Sequence, residues 1–223
     1  MALFKIGAIG RTYRHVQRYR QILTVFIKYG FGDLINALKI DQYLEIGMKM
    51  ISPKRAERIE TLSRAERIRM ALEELGPTFL KMGQILSTRP DLLPVTLVQE
   101  LAKLQDDVPP FAFSEVKRVI EAELEEPIDR IFVDFDESPL AAASIGQVHG
   151  ATLKDGTKVV VKIQRPGIHG VIEVDLEIMT HLAGLMERHV EGLEIHHPTK
   201  VVKEFAETLE RELDYSLEAT YME

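Results

Sequence analysis

The sequence contains no cysteine, so neither a disulfide framework nor a thiolate metal site is open to it. No apolar run comes near the roughly 18 residues that a membrane span requires. No compact apolar core followed by a small-residue cleavage site stands at the start, and no secretory signal is expected. The seven histidines form no ligand spacing such as H-E-x-x-H, no metal site is expected, and His196 and His197 read as solvated. Acids are missing from residues 1–32, which hold Lys5, Arg11, Arg14, Arg18, Arg20 and Lys28. The net charge of −7 is therefore uneven: the remainder carries 22 basic and 35 acidic side chains, or −13. An acidic body argues against a nucleic-acid partner. At 223 residues of ordinary composition, one sizeable core with an accessory helical region is expected.

Residues 12–29 read as a helix, with Val16, Tyr19, Leu23, Phe26 and Ile27 at helical period and Ile22 at the edge of their stripe. Most of the basic side chains lie off the stripe, although Arg20 falls near it. Such a helix can lie on an anionic membrane surface, or it can pack its stripe on the rest of the protein. Residues 33–50 predict another helix, and residues 53–74 a charged helical region. Ser63-Arg64-Ala65-Glu66 matches a capping box, so a restart is placed at Ser63. Gly76-Pro77 ends that region, and residues 78–87 predict a helix with Lys81 and Gln84 on one face. Gly83 inside it predicts close approach of another backbone. A further helix spans 92–104, with Pro94 in its first turn. Residues 107–110 read as a linker, and Ser114 as the cap of a helix over 115–125.

Residues 131–135 then read as a strand. Asp134-Phe135-Asp136 is not a metal-binding D-F-G, because it lacks the glycine and precedes the lysine strand. Residues 147–153 and 158–164 predict two strands joined by an Asp-Gly turn at 154–157. Val159, Val161 and Ile163 share the core face, and Val160 and Lys162 the other. Lys162 either snorkels to water or holds a nucleotide phosphate. The small residues Ala141, Ala142, Ala143, Ser144 and Gly146 before the hairpin favour the phosphate, since they let backbone approach a ligand. Residues 171–190 predict a long helix, and residues 199–223 a last one.

A small-residue loop, a hairpin and V-V-V-K resemble the start of a protein-kinase-like N-lobe, with alanines where G-x-G-x-x-G-x-V has glycines. AAASIGQVH with VKIQRPG, LKMGQILSTRPDLLP with its K-x-G-Q, and the E-x-D of RELDYSLEA resemble the UbiB (AarF) family of atypical kinase-like proteins. The resemblance covers almost the whole chain but only the first part of the family's domain. It implies an α+β fold: basic amphipathic N-terminal helices over 1–50, a helical extension over 51–128 carrying K-x-G-Q, and a kinase-like N-lobe over 129–223. That lobe would be a small antiparallel sheet with an αC-type helix, the C-lobe being absent. H-R-D-x-x-x-x-N and D-F-G do not occur, so this chain is expected to lack the catalytic aspartates and the metal ligands.

By the same resemblance, ATP or ADP with Mg²⁺ is the cofactor. Ala141, Ala142, Ala143, Ser144, Ile145, Gly146, Gln147, Val148, Val160 and Lys162 would form its site. Glu218 would pair Lys162, and Glu212 and Asp214 would meet Lys81, with Glu212 and Glu218 open to exchange. Gln84 would point into the active site with Lys81, on a helix folded over the nucleotide cleft; without the resemblance both would read as surface residues. The implied function is an atypical kinase or ATPase supporting ubiquinone or related isoprenoid-quinone biosynthesis. It would be cytoplasmic and peripheral at the inner membrane through its basic helix, with quinone-pathway lipids or proteins as partners. The competing reading is a nucleotide-independent membrane-surface scaffold with a vestigial lobe.

Overall fold

A computed structural model describes residues 2–40, 59, 61–104, 108–192 and 194–215, with side chains from residue 15 onward except at position 194. In chain order the elements are α1 (Ala2–Lys28), α2 (Gly32–Ala37), α3 (Arg64–Leu75), α4 (Pro77–Ser87), α5 (Val95–Leu101), α6 (Phe113–Leu124), α7 (Ile128–Ile131), β1 (Phe132–Phe135), β2 (Ala141–Ala142), β3 (Gly146–Leu153), β4 (Lys158–Gln164), α8 (Ile168–His189) and α9 (Pro198–Leu213). The chain divides into two compact units, Met1–Leu104 with Val171–Glu223, and Gln105–Gly170. The expected combination of a helical part and a small antiparallel sheet is what the chain forms.

The first unit is helical. Ser63 starts α3 as the capping box requires: its hydroxyl accepts from the Glu66 N–H at 3.2 Å, and the Glu66 carboxylate accepts from the Ser63 N–H at 2.8 Å. Those bonds hold the Glu66 carboxyl below the usual carboxylate range. Gly76 sits at φ +92°, a conformation glycine tolerates, and separates α3 from α4, which opens with Pro77. The close approach at Gly83 is to side chains rather than to backbone: a Cβ there would run into Leu104 and Leu72. Helix α5 is shorter than the expected 92–104, and Pro94 stands at its N-cap.

Helix α1 begins well before the expected residue 12. Its apolar stripe packs internally except at Val16, which is exposed. Leu23 and Ile27 form a buried cluster with Ile35 and Leu38, against which Tyr19, Phe26 and the α8 residues Leu182, Leu185 and Met186 pack. Arg18 ties α1 to α8. Its Nε and Nη2 donate to the two Asp175 carboxylate oxygens at 2.6 and 2.9 Å, and Asp175 is wholly buried. Arg18 Nη2 also donates to the Leu75 carbonyl at 2.7 Å, covering the end of α3. Of the second expected helix, α2 is described and residues 41–50 lie outside the described residues.

The second unit is a sheet with short helices. β3 is its central strand: β4 pairs one edge, and β1 and β2 share the other, all antiparallel. The Asp155-Gly156 turn forms as expected, with Gly156 at φ +88° and the Thr157 N–H donating to the Asp155 carboxylate at 2.9 Å. Ile163, Phe132 and Ala151 pack with Val116 and Ile120 of α6, and Val159 and Val161 lie against this cluster. Ser114 does not cap α6, which starts two residues earlier than expected, at Phe113 behind Ala112, without a side-chain cap.

Candidate functional site

In the second unit the candidate nucleotide residues are set by strand parity. Because Val159, Val161 and Ile163 turn inward, Val160 and Lys162 emerge on the opposite face, both exposed and Val160 at 66%. The β3–β4 register places Val148 across from Lys162 and Gly150 across from Val160. A side chain at Gly150 would run into the Asp136 carboxylate. The result is an exposed face carrying two valines and one lysine. That combination suits a flat apolar base beside an anionic group, so the residues present fit a nucleotide.

The alanine loop is a tight reversal. Ala141 and Ala142 pair Val148 and Gln147, and the Ala143 N–H donates to the Gly146 carbonyl at 2.8 Å. The Arg165 N–H donates to the Ile145 carbonyl at 2.9 Å, which fastens the loop to the end of β4. Ser144 and Ile145 are buried. Positive φ among the described residues occurs elsewhere and not within 141–147. Glycine is therefore not required by this conformation, and the amide of Ala143 is already used inside the turn.

Gln147, counted with the nucleotide loop, points its side chain into the core. Its Oε1 accepts from the Phe111 N–H at 2.9 Å, and its Nε2 donates to the Phe111 carbonyl at 3.3 Å and to His149 Nε2 at 2.9 Å. His149 Nε2 is then an acceptor, so Nδ1 carries the proton and donates to the Asp136 carbonyl at 2.7 Å. His149 is completely buried beside the Phe135 and Phe113 rings. Sequence reading missed this network. Its signal was present: Gln147 and His149 share parity with Ala151 on the inward face. It fixes β3 beneath the loop, and Gln147 can offer a ligand only backbone.

In the first unit, Lys81 and Glu212 come together. Lys81 Nζ lies 2.5 Å from a Glu212 carboxylate oxygen, the two side chains 20% and 31% exposed. They are 131 positions apart in sequence, yet α4 and α9 bring them into contact. Gln84 lies one turn beyond Lys81 on α4, where its carbonyl accepts from the Ser87 hydroxyl at 2.6 Å. Asp214 is the C-cap of α9, its N–H donating to the Glu210 carbonyl at 3.2 Å. Glu218 lies outside the described residues. A second pair, Arg89 Nη1 to Glu204 at 3.6 Å, links the segment just beyond the C-cap of α4 to α9. The Arg89 guanidinium is held above its ordinary range, chiefly by the Asp91 carboxylate at 2.8 Å.

Residues 103–223 match the family model described as the ABC1 atypical kinase-like domain. A probable protein kinase UbiB from Marinobacter nauticus is 43% identical over 204 residues, covering 92% of this chain and 37% of its own. The corresponding protein of Aliivibrio fischeri is 44% identical over 209 residues, covering 92% and 38%. A solved Mycobacterium tuberculosis structure, the Rv3197–erythromycin complex, is 34% identical over 73% of this chain and 40% of that one, with a TM-score of 0.43. The chain thus spans little more than a third of the length of the curated relatives it matches.

Proposed function

We propose a function on one premise: the chain belongs to the ABC1 atypical kinase-like family. The longer protein binds ATP or ADP with Mg²⁺ and acts as an atypical kinase or ATPase in support of ubiquinone or related isoprenoid-quinone biosynthesis. The observation that carries the nucleotide reading is the exposed face of β3 and β4, where Lys162 stands across from Val148 and beside Val160. A lysine there supplies a point charge to phosphate, and the valines supply the base with an apolar wall. The catalytic aspartate and magnesium ligands belong, in this proposal, to sequence outside these 223 residues, which hold neither H-R-D-x-x-x-x-N nor D-F-G. The test is quinone content and nucleotide turnover together. Deleting the gene should lower isoprenoid quinone, and the purified full-length protein should hydrolyse ATP with Mg²⁺. Normal quinone in the deletion strain would overturn the pathway assignment. Absent turnover and absent nucleotide binding would leave the scaffold reading, which the committed amide of Ala143 favours.

The membrane surface is the second part of the proposal. No described helix is long and apolar enough to cross a membrane. Among the described side chains, Arg18 pairs with Asp175 and Lys28 with Glu74. In this proposal the surface attraction is assigned to Lys5, Arg11, Arg14 and Arg20, each contributing on the order of 1 kcal/mol at low salt. Changing these four to glutamine should abolish flotation with phosphatidylglycerol vesicles while leaving the fold intact. Equal flotation of the variant and parent would refute it.

A further inference from the structure

The alanine reversal is held from behind by one guanidinium. Arg165 follows β4 with the parity of Val161 and Ile163, so its side chain leaves on the face opposite Val160 and Lys162. There its Nη2 donates to the Pro109 carbonyl at 3.1 Å and makes a longer contact to the Ala143 carbonyl at 3.5 Å. The guanidinium lies over the Phe111 ring, 5.3 Å from its centre. Phe111 is in turn gripped through its backbone, since Gln147 binds both its N–H and its carbonyl. One side chain therefore touches segment 109–111 and the loop together, while the Arg165 N–H holds the Ile145 carbonyl. An ion pair does not explain the charge. Among the described residues no carboxylate pairs Arg165, and its Nε is buried without a partner. Burial holds the guanidinium below its ordinary range. What the charge supplies is charge-assisted bonding to carbonyls and a planar cation that stacks on an aromatic face.

We propose that Arg165 is a positioning residue for the nucleotide loop: it clamps the reversal at 141–146 to segment 109–111, and so restrains the balance between ATP and ADP binding. The proposal rests on the reading of the exposed β3–β4 face as the nucleotide site. Arg165 acts through the loop, because it lies on the other face of the sheet from Lys162. Ser144 and Ile145 are buried, so the reversal cannot shift without disturbing what packs behind it. Releasing the guanidinium frees the Ala143 carbonyl and segment 109–111 from one another, and the loop loosens.

The test is amide hydrogen exchange on the 223-residue chain, which needs no nucleotide and so separates failure of this proposal from failure of the functional one. Arg165→Met should speed exchange of the Ala143 N–H about threefold to tenfold relative to the β4 amides over 159–163, the range of one net hydrogen bond. Phe111→Leu keeps the backbone that Gln147 binds and removes the ring, so it should speed the same amide about twofold to fivefold. The two together should do no more than Arg165→Met alone, because ring and guanidinium act as one clamp. In the full-length protein, Arg165→Met should shift the ratio of ATP to ADP affinity, read by calorimetric titration, in the direction that Ala143→Gly shifts it. A merely structural role would weaken both nucleotides alike. Unchanged exchange at Ala143, equal acceleration over 159–163, additive single variants, or equal weakening of both nucleotides would overturn the proposal. A full-length protein that binds neither nucleotide would sink the functional reading, and exchange would then decide the clamp.

Discussion

Replacing Arg18 by methionine should destabilise the protein by about 3–5 kcal/mol, the range seen when one partner of a buried pair is removed. Asp175 is wholly buried, and both of its carboxylate oxygens are bound by this one guanidinium. Methionine fills much of the same volume, so the loss is electrostatic rather than a cavity. The carboxylate would remain in a site from which water is excluded, and the Leu75 carbonyl at the end of α3 would lose its donor. The Gln21 side chain and the Phe79 ring, which flank the guanidinium, would lose a weaker contact each. The double variant Arg18→Met with Asp175→Leu should recover most of the loss, because no buried charge then remains. Urea unfolding of the chain and its variants measures both. A single-variant loss under about 1 kcal/mol, the scale of an exposed pair, would show that Asp175 is hydrated and the argument wrong.

Local features of this chain were legible from local sequence. The Asp155-Gly156 turn, the parity of Val160 and Lys162, and the capping box at Ser63 each depend on residues within a few positions of one another. Tertiary partners were not legible in that way. Arg18 reads as one more charge on a basic helix, because its partner Asp175 is 157 positions away. The same distance hid the fate of the apolar stripe of α1, which covers α8 rather than standing open. Gly83 signalled tight packing correctly but not what it packs against, since leucine side chains from α3 and the end of α5 occupy the space. The pairing of Lys81 with an acid of the last helix came from resemblance alone. No periodicity in the sequence links α4 to α9. The Gln147–His149 network was available from strand parity, but two polar residues facing inward carry no mark of the backbone partners that satisfy them.

The largest expected effect on activity is at Lys162. In the full-length protein, Lys162→Ala should weaken ATP binding by about 10- to 100-fold, since a hydrogen bond to a charged group is worth roughly 1.5–3 kcal/mol. The loop that precedes it should act on preference rather than on affinity as a whole. Ala141 to Gly146 is already folded into a reversal that needs no positive φ, with the Ala143 N–H bound to the Gly146 carbonyl. Alanine restrains that conformation, and glycine would loosen it by about 0.5–1 kcal/mol per position. Ala142→Gly and Ala143→Gly should therefore let the loop wrap a γ-phosphate. Turnover should rise and the balance of ATP over ADP binding should shift severalfold. On the proposed reading Val160 would work in the same direction as the alanines, because it is bulkier than the alanine of V-A-I-K and would narrow the base site. Calorimetric titration with ATP and ADP, with turnover measured alongside, distinguishes the outcomes. Glycine variants that match the parent in both would remove the loop from the account. If Lys162→Ala binds and hydrolyses ATP like the parent, the lysine is a snorkelling surface residue, and the exposed face of β3 and β4 is not where the nucleotide sits.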